Sequence, residues 1–209
     1  WISTLTSLNS LVQSEAVPDG DLPSLKQLIW FGEALPNSML NSTLNHLRQR
    51  LPLTQFTQLY GVPETSIASS YFTVPAGSLD DTAQLPIGRA CEGVGLFVLD
   101  RNLQPVPLEE AGELYVSGVG LSSGYWRDRE QTAAAFVQHP ILRQRLFKTG
   151  DLARLGFDGL AYLADRATIQ EEFEDCLTDG QQRVDRETDF KVSPLKKRET
   201  IMFDRAVLQ

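Results

Sequence analysis

Three side chains, Tyr60, Glu64 and Asp151, combine a useful chemical type with a place beside glycine or proline. The tyrosine ends a predicted strand and precedes Gly61, so its ring offers a stacking face for an aromatic base, although a core tyrosine also fits there. The aspartate follows Thr-Gly, where a carboxylate can accept two hydrogen bonds from neighbouring hydroxyls, such as those of a ribose, or can cap a turn. The glutamate follows a proline and is either an exposed loop acid or, beside phosphate groups, a ligand for a divalent cation.

Two predicted parallel strands position the tyrosine and the glutamate. Residues 25–31 form a short apolar run with β-prone residues, residues 54–60 are predicted as a second strand, and each segment is followed by a glycine. Between them, residues 36–51 carry apolar side chains near helical spacing, and Pro36 suits the first turn of that helix. Residues 1–18 also show a helical pattern. Strand, helix and strand in this order predict a parallel βαβ unit, whose ligands bind beyond the carboxyl ends of the strands.

The pattern changes after residue 77, where turn-forming glycines and prolines recur at short intervals. Between these turns lie short predicted strands at residues 94–99, 113–116, 146–148 and 160–163, and a short helix at 129–136. This spacing is typical of an antiparallel sheet or barrel, and it places Asp151 just after a strand. The predicted fold class is therefore α/β, with a parallel βαβ portion followed by an antiparallel β-barrel-like portion.

Three segments follow from these patterns. Residues 1–82 are predicted to form the βαβ portion and residues 83–165 the barrel-like portion. Residues 166–209 are charged and poorly periodic, which indicates a linker or a small peripheral element. Because the chain begins at Trp1 rather than Met, we expect a processed, split or incompletely represented polypeptide.

The composition excludes several function classes. The 209 residues carry 19 basic and 27 acidic side chains, a net charge of −8, which argues against nonspecific binding to nucleic acid or to an anionic membrane. With two cysteines and two histidines, a disulfide framework or a histidine-rich metal site is not expected, and a reduced, cytoplasmic setting is the default. No apolar run approaches the roughly 18 residues of a membrane-spanning helix.

Four sequence motifs occur in a fixed order along the chain: GEAL at 32–35, LYGVPET at 59–65, GELYVSGVGLSSGYW at 112–126 and FKTGDL at 147–152. Together they resemble the patterns GGEAL, YGPTET, GELxIxGxGLARGYW and YKTGDL of the adenylation domains of nonribosomal peptide synthetases, within the adenylate-forming ligase superfamily. The resemblance covers roughly residues 1–165 and corresponds to the C-terminal half of the large subdomain. A degenerate remnant of the small subdomain follows.

The resemblance implies that ATP and Mg²⁺ are bound beside these motifs. The resemblance implies that Tyr60 stacks on adenine, that Asp151 binds the ribose hydroxyls and that Glu64 binds the metal ion. The residues that it implies for the nucleotide are Gly32, Glu33, Ala34, Tyr60, Gly61, Asp151 and Asp165. The hinge remnant is either Asp165 or Arg166, because the alignment there is ambiguous by two residues.

The resemblance also implies an acyl substrate and a carrier. The intact domain would activate an amino acid or a keto acid as an acyl-adenylate and load it onto the phosphopantetheine thiol of a carrier-protein domain, together with the remaining parts of the synthetase. The implied substrate pocket is mainly apolar and is lined by Phe31, Leu59, Ile67 and Ala68. No residue of this chain matches a catalytic position.

The sequence departs from the family pattern at three places. Pro63 replaces a threonine or serine whose hydroxyl helps to hold the phosphate, and proline has neither a hydroxyl nor an N–H. The phosphate-binding loop has no counterpart here, and neither the hinge nor the C-terminal lysine is matched. Two alternatives therefore stand beside the adenylation hypothesis: a catalytically impaired element that serves as a structural platform, and an acyl-CoA or fatty-acyl-AMP ligase.

Overall fold

The computed structural model describes residues 1–17, 22, 24–32, 36–77, 79–80 and 83–164. These residues belong to one compact unit, Trp1–Ala164. Within the described residues, no helix combines the length and the apolar character needed to cross a membrane.

The first sheet contains five strands in chain order: β1 (Ile2–Thr4), β2 (Gln27–Phe31), β3 (Gln55–Tyr60), β4 (Ser70–Thr73) and β5 (Arg89–Ala90). The first three strands run parallel, whereas β4 and β5 are added antiparallel. Because β2 and β3 are parallel neighbours, their carboxyl ends lie at the same edge of the sheet, and Gly32 and Gly61 follow them there.

Two helices cover one face of this sheet: α1 (Leu5–Gln13) and α2 (Asn37–Arg50). Their leucines form one buried cluster with the strand residues Leu28, Trp30 and Phe56, and the Trp30 side chain is only 2% exposed. Burial of each large apolar side chain stabilises the fold by roughly 1.5–3 kcal/mol, so this cluster fixes the parallel strands on which the site stands.

The second sheet is antiparallel throughout. Its strands are β6 (Val94–Leu99), β7 (Gly112–Gly118), β8 (Phe136–Gln138), β9 (Arg145–Leu155) and β10 (Ala161–Leu163), and α3 (Arg129–Ala135) precedes β8. The order is β10-β9-β7-β6, with β8 also paired to β9. The predicted fold class, a parallel βαβ portion followed by an antiparallel barrel-like portion, is confirmed.

The segment that enters and leaves β5 joins the two sheets. Ser70 of the first sheet donates a hydrogen bond to the Ile87 carbonyl at 2.7 Å, and Gly88 forms a bridge with Ala161 of the second sheet. Tyr60 packs against the buried cluster that Ile87 forms with second-sheet residues. The end of β3 therefore lies at the junction of the two sheets.

Several sequence predictions need correction. The N-terminal segment predicted as helical begins with a strand, β1, and strands β4, β5 and β8 were not predicted. The helix predicted at 129–136 ends at Ala135, because Phe136 begins β8. Pro36 is the N-cap of α2 rather than a residue of its first turn, because its ψ of 139° is extended and the helix begins at Asn37.

Candidate functional site

A bulge in β9 presents Asp151. Glu113 pairs with Leu152 and Tyr115 with Lys148, so the single residue between them on β7, Leu114, faces the three residues 149–151. The Thr149 hydroxyl holds this bulge by donating to the Leu114 carbonyl at 2.8 Å and accepting from the Asp151 amide at 3.1 Å. Gly150, with φ of +79°, supplies the left-handed conformation in the middle.

The prediction that Asp151 follows a strand is therefore wrong, since β9 runs on from Arg145 to Leu155. The Thr-Gly-Asp sequence forms an irregularity inside the strand rather than a turn at its end. Such bulges bend a strand and change the direction of a side chain, and they are common beside active sites. Here the bulge turns Asp151 toward the first sheet, as its partner shows.

Tyr60 and Asp151 meet across the two sheets. The Tyr60 hydroxyl donates a hydrogen bond of 2.6 Å to Oδ2 of Asp151, a length typical of a hydroxyl on a charged carboxylate. Burial, and then this carboxylate, raise the pKa of Tyr60 well above its usual value, so the phenol stays protonated and remains the donor. Among the described residues nothing hydrogen-bonds to Oδ1 of Asp151, which leaves that oxygen as an acceptor for a ligand.

Glu64 lies on a single 3₁₀ turn, Pro63–Thr65, just after β3. The Thr65 hydroxyl, which is buried, pairs with the Val62 carbonyl at 3.0 Å and with the Ser69 hydroxyl at 2.7 Å, and so holds the turn closed. The Ser69 amide donates to the Tyr60 carbonyl at 2.7 Å. Tyr60 and Glu64 therefore belong to one short, internally bonded loop.

Tyr125 contacts Glu64 from the second half of the unit. Its hydroxyl donates to Oε1 of Glu64 at 2.8 Å, and this hydrogen bond, followed by burial, raises the pKa of Tyr125. Among the described residues no hydrogen bond or ion pair reaches Oε2 of Glu64. Sequence reasoning gave Tyr125 no role, because no local pattern connects residues that are 61 positions apart.

The donor set at Glu64 fits a hard cation that takes most of its ligands from elsewhere. In the described part of the chain no three His, Cys, Asp or Glu side chains converge as a metal cage would require. Magnesium is commonly held by one or two carboxylates together with substrate phosphates, so a single free carboxylate oxygen suits it.

The remaining predicted site residues that the structure describes lie at the ends of β2 and β3 or in the loop that follows β3. Phe31 and Leu59 each follow directly after the paired residues Trp30 and Gln58. They therefore occupy neighbouring positions on the face of the sheet opposite to that of Trp30. Ile67 is 55% exposed with φ of +73°, and Ala68 is half-buried. Gly32 is exposed with φ of +109°. Glu33, Ala34 and Asp165 lie outside the described residues.

A comparison with known families covers the first three of the four motifs. A family model described as AMP-binding enzyme matches residues 1–126, which is more than half of the chain. The chain belongs to the AMP-binding enzyme family. The resemblance to the adenylate-forming ligases of peptide synthetases is thereby confirmed, and it rests on relatives as well as on motifs.

Two relatives illustrate the similarity. One component of the linear gramicidin synthase of Brevibacillus parabrevis is 38% identical over 160 residues, which cover 76% of this chain and 3% of the relative. The dimodular nonribosomal peptide synthase of Bacillus subtilis (strain 168) is 38% identical over 156 residues, covering 73% and 6%. The chain thus spans only a small part of the length of these relatives.

Solved structures agree in fold. CmiS6 superposes with a TM-score of 0.71 at 33% identity, over 79% of this chain and 40% of that one. PA1221, a nonribosomal peptide synthetase protein containing adenylation and carrier domains, superposes at 0.67 with 29% identity, over 79% and 28%. Both similarities cover less than half of the neighbour's chain.

Proposed function

We propose that this chain forms the nucleotide-facing part of a nonribosomal peptide synthetase adenylation domain, which activates an amino acid or a keto acid with ATP. The observation that carries the proposal is the 2.6 Å contact between Tyr60 and Asp151. It joins an aromatic ring at the carboxyl end of a parallel strand to a carboxylate with one free oxygen. This is the combination that a base and its ribose require.

Each residue then has a definite task. The ring of Tyr60 stacks on adenine, and its hydroxyl holds Oδ2 of Asp151 so that Oδ1 accepts from the ribose hydroxyls. Gly32, at the end of β2, leaves room for the base because no side chain projects there. Glu64 would hold Mg²⁺, which when bound neutralises phosphate charge. Phe31, Leu59, Ile67 and Ala68 would line the acyl pocket, and Glu33, Ala34, Gly61 and Asp165 complete the proposed nucleotide set.

The reaction is an in-line displacement. A carboxylate oxygen of the acid attacks the α-phosphorus of ATP, the bond to the β-phosphate oxygen breaks, and pyrophosphate leaves. The carrier's phosphopantetheine thiol then attacks the acyl carbonyl, and AMP leaves. The contribution of this chain is positioning, which can account for a large part of such a rate enhancement. Because ATP and the carrier are cytoplasmic, we place the protein in the cytoplasm.

Acid-dependent exchange of pyrophosphate into ATP tests the proposal in the full-length protein. Asp151→Asn should weaken ATP binding by roughly 10- to 150-fold, because a hydrogen bond to a charged group contributes about 1.5–3 kcal/mol. Asp158→Asn is the matched control, since Asp158 also accepts a tyrosine hydroxyl at 2.6 Å but lies in an exposed loop. Absence of exchange with every amino or keto acid tried would contradict the catalytic proposal.

Pro63 favours a second candidate, an element that keeps the fold as a platform for a neighbouring domain. This proline is exposed at the start of the turn and offers no hydroxyl or N–H toward a phosphate. Micromolar ATP binding by calorimetry would exclude this candidate. An acyl-CoA or fatty-acyl-AMP ligase is less well supported, because the relatives above are peptide synthetases. Thioester formation with free CoA would reveal it.

A further inference from the structure

The segment from Gly120 to Tyr125 is bound to the Glu64 turn at three points. The Ser122 amide donates to the Glu64 carbonyl at 2.8 Å, and the Ser66 hydroxyl donates to the Gly120 carbonyl at 2.8 Å. The third point is the 2.8 Å hydrogen bond from the Tyr125 hydroxyl to Oε1 of Glu64. The first two bonds align the backbones, and only the third acts on the carboxylate itself.

The Tyr125 ring is held independently of Glu64. The ring packs against Phe136 in a T-shaped arrangement, with ring centroids 6.0 Å apart at an angle of 63°, and the Tyr125 amide donates to the Thr132 hydroxyl at 2.9 Å. The position of its hydroxyl is therefore set by the fold before any ligand binds.

Arg145 of β9 secures the backbone that carries Tyr125. Its guanidinium donates to the carbonyls of Ser122 and Ser123 at 2.6 and 3.0 Å, and it lies 4.2 Å from the centre of the Phe136 ring. A charged group that binds two carbonyls and an aromatic face holds a loop firmly. The loop, the ring and the hydroxyl thus form one rigid support for the glutamate.

From this geometry we infer that Tyr125 is a positioning residue that fixes the Glu64 carboxylate for a divalent cation. One carboxylate oxygen accepts the phenol, and the other is left for the metal. The inference rests on the proposed function, because it assigns Mg²⁺ to Glu64. Magnesium demands a nearly ideal arrangement of ligands, and loss of a group that orients a ligand typically weakens metal binding about 10- to 100-fold.

Tyr125→Phe in the full-length protein tests the inference, because phenylalanine keeps the ring and removes only the hydroxyl. Calorimetric ATP binding is measured over a series of free Mg²⁺ concentrations. We expect half-maximal binding to need about tenfold more Mg²⁺, with the wild-type affinity restored at saturating metal. The electron paramagnetic resonance spectrum of bound Mn²⁺-ATP should broaden, since the carboxylate is less well ordered.

Two further variants make the result specific. Tyr162→Phe removes a matched hydrogen bond of 2.6 Å to Asp158 and should leave the metal dependence unchanged. In a Glu64→Gln background, Tyr125→Phe should produce no additional shift, because the hydroxyl then has no metal ligand to position.

The possible failures are distinguishable. An unchanged Mg²⁺ dependence in Tyr125→Phe, or a loss of ATP affinity that saturating metal does not restore, would overturn the inference and leave the proposed function standing. If the wild-type protein bound ATP with no dependence on a divalent cation, the assignment of the metal to Glu64 and this inference would both fall.

Discussion

The hydrogen bond between Tyr60 and Asp151 gives a prediction about stability that needs no ligand. Tyr60→Phe removes the hydroxyl donor and leaves a half-buried carboxylate without it. A hydrogen bond to a charged group contributes about 1.5–3 kcal/mol, so the free energy of unfolding at pH 8 should fall by about that amount. For a unit of this size, each kcal/mol lowers the melting temperature by about 2–4 °C.

The pH dependence of the same variant has a definite sign. The pKa of Tyr60 is raised in the folded protein, so the fold favours the protonated phenol. Its contribution to stability is fully present below the unfolded pKa of about 10, and it is lost as the pH rises through the higher folded value. Tyr60→Phe should therefore flatten the alkaline loss of stability, by at most about 1.4 kcal/mol per pH unit.

Urea denaturation of the protein from pH 8 to pH 11, followed by far-ultraviolet circular dichroism, measures both effects. Burial and Glu113 raise the pKa of Tyr115 to about 12, and burial and Asp158 do the same for Tyr162, so these two tyrosines maintain part of the alkaline slope in Tyr60→Phe. Tyr162→Phe is the control at pH 8, where the loss should be smaller because that bond is exposed. An unchanged midpoint for Tyr60→Phe at pH 8 would refute the reasoning.

Three further predictions concern Gly61 and Thr149, which shape the backbone of the site, and Asp158, an acid away from it. In Gly61→Ala, the new methyl would overlap the Ile67 carbonyl and lie 2.9 Å from the Ser69 nitrogen. Urea denaturation should therefore show a free energy of unfolding that is lower by about 1–3 kcal/mol. Gly77→Ala is the control: it has open space around it and should lose only the left-handed backbone penalty of about 1–2 kcal/mol. Thr149→Val removes both hydrogen bonds that hold the bulge, so the KM for ATP should rise several-fold while kcat changes less, and equal changes in both would argue against a positioning role. The Tyr162 hydroxyl, and then the Leu160 amide, lower the pKa of Asp158, so its contribution to stability is present above about pH 4 and is lost as the pH falls through its folded pKa. Asp158→Asn should therefore reduce the loss of stability at acid pH in a denaturation series and leave ATP affinity unchanged.

The elements that the sequence predicted well are those with a buried apolar face. Strands β2 and β3 and helix α2 appear close to their predicted positions, because each places buried apolar side chains on one face: Leu28 and Trp30 in β2, Phe56 in β3, and Leu40, Leu44 and Leu47 in α2. Strand β1 has only three residues, and none of them is buried, so it carries no such pattern. Strand β5 has two residues, and its place is decided by the antiparallel edge that β4 offers.

The site was predictable in its residue types but not in its arrangement. Thr-Gly-Asp is a typical turn sequence, and only its pairing with β7 shows that the strand continues through it. The partner of Asp151 lies 91 positions away, at Tyr60. Contacts of this separation follow from how the two sheets meet, and that is a property of packing rather than of any local pattern.

The two acids of the site are supported reciprocally. Tyr60, at the end of a first-sheet strand, donates its hydroxyl to Asp151 of the second sheet. Tyr125, after a second-sheet strand, donates its hydroxyl to Glu64, which comes after a strand of the first sheet. Each hydroxyl takes one carboxylate oxygen, so each acid has its orientation set during folding rather than during binding, which lowers the entropy cost of binding. Any shift of one sheet against the other would disturb both bonds together. Under the proposed roles of these two acids, a nucleotide held at Asp151 should strengthen metal binding at Glu64, and by thermodynamic linkage the metal should strengthen nucleotide binding by the same factor.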